Sequence, residues 1–236
     1  MKSLLAFTSG YDSLYVAWKW LTETNNDLTL LFLDMSLMRW RENVEYYVMP
    51  KHMICAERGH KYLCETYRQC NFERYLVRRF PAIKNLDHPR YFVRLAAKWV
   101  EEGKYDEVLH GLTGFYGTQS YALEKEFRQH TSKGSIRFPL RERHKSTVHQ
   151  MAEMPEELQK YAVSCNGVAT DDLGNFIDCG ECHKCHRNDY FRNALKEGVD
   201  PDVACDAYNE TDYKKHVNAN MPGNRTGSSQ RIINSS

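Results

Sequence analysis

The sequence contains no apolar run approaching the ~20 residues that a membrane-spanning helix needs, and its mean hydropathy of -0.67 argues against a membrane protein. It also lacks an excess of charge of either sign, because 32 basic and 31 acidic side chains leave a net charge of +1. That balance creates no broad basic field, so direct binding of nucleic acid is not expected. Short basic clusters do occur, at Arg39-Trp40-Arg41, Arg78-Arg79 and from Arg141 to Lys145. Each is either a solvated face or a grip for the phosphates of a small ligand. The opening residues, Met1-Lys2-Ser3-Leu4-Leu5-Ala6-Phe7, carry one positive charge and too short an apolar stretch for a signal peptide. They read as a first strand, and a cytoplasmic location is expected. A Walker loop is missing, since no Gly-Lys-Ser/Thr follows the first turn at the required spacing. No internal repeat is visible.

What is present suits a mixed α/β fold. The chain has 236 residues, 42% of them apolar, enough for one large domain with a small appendage. Lys2 to Phe7 reads as a buried strand entering a turn at Thr8-Ser9-Gly10. Leu14, Ala17, Trp18 and Leu21 then fall on one helical face, and Leu28 to Leu33 gives a second apolar strand ending at Asp34. Strand, helix and strand in about thirty residues make a βαβ unit, which predicts a parallel sheet. The stretch 39–86 lacks clean periodicity and predicts helices with insertions. Further helices are expected over Arg90 to Val100, Tyr121 to Phe127, Lys145 to Met154, Pro155 to Tyr161 and Asp189 to Lys196, the last stopped by Gly198. Glu107 to His110 reads as a third strand ending at Gly111, and Ile136 to Leu140 as a last extended piece. From about Asn209 the composition turns to Asn, Ser, Gly, Lys and Thr, which predicts a flexible tail.

Thr8-Ser9-Gly10-Tyr11-Asp12-Ser13 lies where a strand ends and a helix begins. The first-turn amides of such a helix have no intrahelical partner, and its dipole adds positive potential, so an anion can be held there. The hydroxyls of Thr8, Ser9 and Ser13 are available to donate to the same anion, and Asp12 can cap the helix or help hold magnesium. An ordinary helix start is the alternative. The segment resembles the PP-loop signature Ser-Gly-Gly-x-Asp-Ser. Thr8 stands for the first serine, Ser9 for the first glycine, and Gly10, Asp12 and Ser13 match. Ser for Gly places a β-carbon where positive φ favours glycine.

Of eight cysteines, Cys165, Cys179, Cys182 and Cys185 fall within 21 residues, while Cys55, Cys64, Cys70 and Cys205 are scattered. Two x2 gaps let successive sulfurs face one ion, so the cluster reads as a structural tetrathiolate zinc site, with Gly180 permitting the tight turn. An iron–sulfur cluster and unligated thiols are the alternatives. His183 and His186 are spare donors or surface residues.

The N-terminal loop, together with Ser164-Cys165 and Cys179-Gly180-Glu181-Cys182-His183-Lys184-Cys185, resembles the 7-cyano-7-deazaguanine synthase family of queuosine biosynthesis. Phe191, Gly198 and Pro201 follow as in that family. Pro139-Leu140 and Lys145 are similar to its Pro-Leu…Ser-Lys-x-Glu stretch, and Asp34 to the aspartate of its Asp-Tyr-Gly-Gln stretch. Gly111 fits a turn on the nucleotide side. The middle of the chain, 38–106, matches weakly, with His88-Pro89-Arg90-Tyr91 only echoing the family's Pro-x-Arg-Asn.

The resemblance implies a PP-loop, Rossmann-like nucleotide-binding domain over 1–162, a helical four-cysteine zinc module over 163–208 packed on it, and a tail over 209–236. It implies a ligase that takes ATP with Mg2+, 7-carboxy-7-deazaguanine and ammonia to the nitrile through an adenylated carboxylate. Thr8, Ser9, Gly10, Tyr11, Asp12, Ser13, Asp34 and Gly111 would line the nucleotide, Asp12 and Lys145 would serve catalysis, and Zn2+ would be structural. It also implies a homodimer. An amide-forming or transferring relative, a tRNA-thiolating PP-loop enzyme and a catalytically impaired zinc-bearing binding protein are the competing readings. His110 is placed near the relevant strand end, either as a general base or as a packed ring.

Overall fold

The computed structural model of the protein describes residues 1–34, 50–77, 88–112, 117–163, 169–170 and 176–208. Five strands form one parallel sheet: β1 (Lys2–Ala6), β2 (Asp27–Asp34), β3 (Asn71–Leu76), β4 (Glu107–Leu109) and β5 (Ser135–Arg137). Their order is β3-β2-β1-β4-β5. β1 is central, with Leu5 paired to Leu30 of β2 on one side and to Leu109 of β4 on the other. Between the strands run α1 (Tyr11–Glu23), α2 (Pro50–Thr66), α3 (His88–Glu101) and α4 (Gly117–His130). The C-terminal part holds α5 (Pro139–Glu142), α6 (Thr147–Glu153) and α7 (Glu156–Gln159). A two-stranded antiparallel ribbon follows, β6 (Ala169–Thr170) with β7 (Phe176–Ile177), and then α8 (His183–Lys196) and α9 (Pro201–Tyr208). The expected α/β class with a parallel sheet and a C-terminal helical cysteine module is what the structure shows. Among the described residues no helix is long and apolar enough to cross a membrane.

Alternation along each central strand explains the three layers. Leu5 and Phe7, with Leu28, Leu30 and Phe32, face α1 and α2 in one apolar cluster. Leu4 and Ala6, with Leu31 and Leu33, face Phe92, Val93 and Ala96 of α3 and Leu123 and Phe127 of α4 in the other. Burying each such Leu or Phe contributes about 1.5–3 kcal/mol, so continuous apolar strands are needed where both faces are covered. Phe191 and Ala194 of α8 and Ala204, Cys205 and Tyr208 of α9 belong to the first cluster. The C-terminal helices therefore share a core with α1.

Several local expectations need correction. The stretch 39–86 holds helix α2, as expected, and also strand β3, which was not expected. β3 is largely exposed and pairs only with β2 among the described strands, so burial imposes little hydrophobic pattern on it. The extended piece at 136–140 stops early, because Pro139 at the first helical position starts α5. The helix expected from Asp189 begins at His183, and α9 follows Gly198, again with proline at its start. The tail 209–236 lies outside the described residues, as do Cys165, Ser164 and the stretch 35–49.

Candidate functional site at the carboxyl edge of the sheet

Strand order reverses between β1 and β4, the place where open α/β sheets form a ligand crevice beyond the strand ends. Because every strand is parallel, the carboxyl ends of β1, β2 and β4 share that edge. The loop Thr8–Ser13, Asp34 and Gly111 are therefore brought to one side of the sheet.

The loop is tightly specified. Ser9 is fully buried with φ +58°, the left-handed region that the signature's glycine would favour. Its hydroxyl donates to the Tyr161 carbonyl at 2.6 Å, and its own carbonyl accepts from the Val163 amide at 2.6 Å. Ser13 Oγ accepts from the Thr8 amide and donates to the Gly10 carbonyl, each at 3.2 Å. The expectation that Ser9 and Ser13 offer free hydroxyls to an anion is thus corrected: both are spent on shaping the turn.

Gly10 caps α1 without a side-chain hydrogen bond, and among the described residues no side chain takes up the first-turn amides. Gly111, at the end of β4, lies against that turn. A methyl at 111 would come within 3.1 Å of both the Asp12 carbonyl carbon and the Ser13 nitrogen. Glycine lets β4's end pass close without displacing that backbone.

Asp12 Oδ1 accepts from Gln150 Nε2 of α6 at 2.8 Å. Burial pushes the Asp12 carboxyl above the usual carboxylate range, against the Gln150 bond and the nearby charges of Arg187 and Lys184 of α8, which favour ionisation. Gln150 is fully buried, and its Oε1 has no hydrogen-bond partner among the described residues. The same holds for buried Arg187 Nε. Tyr11 is buried and its hydroxyl accepts from Arg192 of α8 at 3.4 Å. Sequence reasoning missed Gln150, Lys184 and Arg187. The i, i+3 spacing of Lys184 and Arg187 beside the cysteines was the available signal.

Asp34 is buried and paired with Arg74 of β3, whose Nε donates to Asp34 Oδ2 at 2.7 Å. Lys145 is held in an ion pair with Glu153 at 2.5 Å. Glu153 also accepts from Tyr15 and lies 3.6 Å from Lys19, on the flank of α1 beyond its first turn. The structure thus places Lys145 on that flank rather than in contact with loop 8–13. The His110 ring packs against Phe92 and Phe138, with centroids 5.8 and 6.1 Å away.

Cys179, Cys182 and Cys185 converge at the start of α8, where Gly180 takes φ +74°. Cys182 is the N-cap and Cys185 lies one turn in, buried. Cys185 Sγ is 3.5 Å from Cys182 Sγ and 3.9 Å from Cys179 Sγ. Thiolates about 2.3 Å from a tetrahedral ion are separated by about 3.8 Å, so the three sulfurs fit one mononuclear ion. A cubane cluster interposes its own iron and sulfide and holds its cysteines farther apart.

Two surface cavities lie elsewhere: one of about 540 Å³ lined by Arg94, Lys98, Glu101, Glu102 and His130, the other of about 550 Å³ at the amino edge of the sheet. The segments that follow β2, β3 and β4 at the carboxyl edge, 35–49, 78–87 and 113–116, are outside the described residues.

No family model matches the chain. No curated protein matches it. Among solved structures, it is similar to the U34-tRNA thiolase NcsA from Methanococcus maripaludis with its [4Fe-4S] cluster, at 14% identity and a TM-score of 0.40. The alignment covers 92% of this chain and 68% of that one. A likeness this loose carries no argument about activity.

Proposed function

We propose that the chain is a PP-loop ATP pyrophosphatase that activates a carboxylate by adenylation, with 7-carboxy-7-deazaguanine and ammonia as substrates and the nitrile as product. One observation carries the reading: a helix start at the β1/β4 switch point that has no side-chain cap, lies beside Gly111 and is backed by the cations of α8. Small anions are held at such a start by free amides and the helix dipole.

A carboxylate is a poor electrophile. Its attack on the α-phosphorus of ATP, with pyrophosphate leaving, gives an acyl adenylate. Ammonia attacks the acyl carbon and expels AMP, forming an amide. A second adenylation, on the amide oxygen, lets that oxygen leave with AMP and yields the nitrile. The amides of the first turn of α1 would hold the leaving pyrophosphate, and Lys184 and Arg187 would stabilise charge growing on it. The buried polar atoms Gln150 Oε1 and Arg187 Nε supply an acceptor and a donor at the wall of that space. Asp12 fits magnesium poorly, because its neighbours are already cationic and burial disfavours its charge. It is better read as the residue that fixes Gln150.

The cysteine spacing supports zinc over a cluster. The ion would be held by Cys179, Cys182 and Cys185, with Cys165 as the expected fourth donor. Bound zinc would supply structure alone, anchoring the start of α8 so that Lys184 and Arg187 face Asp12.

The test is product analysis by mass spectrometry after incubation with ATP, the carboxy acid and ammonia. AMP, pyrophosphate and the nitrile are expected. Amide as the end product would favour the relative that stops one step earlier, and ADP with phosphate would sink the reading.

A further inference from the structure

The structure carries a second group of soft ligands, remote in sequence from the cysteine module. His60 and Cys64 are one turn apart on α2 and so lie on one face. The chain leaves α2 through a turn in which the Tyr67 and Arg68 amides both donate to the Leu63 carbonyl, and it returns with Cys70 just before β3. Cys64 Sγ is 3.7 Å from Cys70 Sγ and 3.2 Å from His60 Nε2. All three donor atoms lie within 4.8 Å of one another.

We propose that His60, Cys64 and Cys70 bind a second zinc ion. A tetrahedral zinc with thiolate and imidazole ligands separates two sulfurs by about 3.8 Å, and a sulfur from a nitrogen by about 3.5 Å. The two distances from Cys64 Sγ need shifts of only a few tenths of an ångström. Two outer contacts that zinc sites characteristically have are present. The Cys70 amide donates to Cys64 Sγ at 3.5 Å. The His60 ring stacks on Phe72 with centroids 5.3 Å apart and planes 28° apart, which fixes its direction.

Without metal, His60 Nε2 lies 2.9 Å from the Cys70 carbonyl and donates to it. Zinc takes over that nitrogen, and the imidazole proton moves from Nε2 to Nδ1. The two thiols lose theirs, so each zinc bound releases two protons. Three protein donors leave one position for water. Cys70 lines the cavity of about 550 Å³ at the amino edge, together with Gln69, Asn71, Glu73 and Lys104, so solvent can reach it. The ion would join the end of α2 to the start of β3, a strand with little buried surface of its own.

Zinc content per chain, measured by plasma mass spectrometry on the purified full-length protein, tests the inference. Two equivalents are expected in the wild type, one in Cys64→Ser, one in Cys182→Ser and none in the double variant. Unchanged zinc in Cys64→Ser overturns the inference. Loss of all zinc in Cys182→Ser also overturns it while leaving the C-terminal site intact as a reading. Unchanged zinc in Cys182→Ser sinks only the C-terminal site. Should Cys64→Ser fail to fold, alkylation of the wild type decides. Cys64 and Cys70 are expected to be protected by zinc and exposed by a chelator, and a Cys64–Cys70 disulfide in the purified protein contradicts the proposal.

Discussion

Replacing Ser9 tests the turn between β1 and α1 through stability alone. Ser9 has φ +58°, where a residue with a β-carbon is about 1 kcal/mol or more worse than glycine. In return its hydroxyl donates to the Tyr161 carbonyl at 2.6 Å, a bond worth about 1 kcal/mol net. Ser9→Ala keeps the strain and loses the bond, so it should cost about 1–2 kcal/mol. Ser9→Gly loses the same bond but relieves the strain, and should fall within about 1 kcal/mol of the wild type. The glycine variant is therefore expected to exceed the alanine variant by about 1 kcal/mol, or about 2–4 °C in Tm for a chain of this size. Urea titrations with unchanged m-values would give the difference directly. Alanine equal to or better than glycine would refute the left-handed turn.

Gly111→Ala forces a methyl to within 3.1 Å of the Ser13 nitrogen and should cost about 1–3 kcal/mol, read from the urea midpoint. Asp12 has a raised pKa in the fold, so the folded state holds its proton more tightly than the unfolded chain does. Its contribution to stability is then greatest below the unfolded pKa and is lost as pH rises through the folded one. Asp12→Asn keeps an acceptor for Gln150 and should be more stable than the wild type at pH 7, with the gain vanishing in acid. Thermal melts across pH check this, and a loss at pH 7 would contradict it. Arg74→Met removes a charge-assisted bond to buried Asp34 and should cost about 1.5–3 kcal/mol by denaturant titration.

The central strands were legible because both faces of β1 and β2 are buried, which leaves an unbroken apolar run in the sequence. β3 was not, because exposure left it Glu, Arg and Tyr on a pattern no core had selected. The loop's position could be read from Thr8–Ser13, but not where its hydroxyls point. Ser9 and Ser13 bond to Tyr161 and Gly10, contacts fixed by tertiary packing. The resemblance implies a catalytic role for Lys145, yet Glu153, eight residues on, pairs with its charge. Gln150 carries no sequence signal, since only the fold brings α6 against Asp12. Cys64 and Cys70 read as scattered because only the turn from α2 into β3 brings them together beside His60.

The most direct test of the account is an equilibrium titration of the wild-type protein with ATP and, separately, with AMP. If the uncapped start of α1 holds the polyphosphate, ATP should bind at least about tenfold more tightly, a difference of about 1.4 kcal/mol, and pyrophosphate should displace it. Equal affinity for the two nucleotides, or no binding of either, would contradict the account.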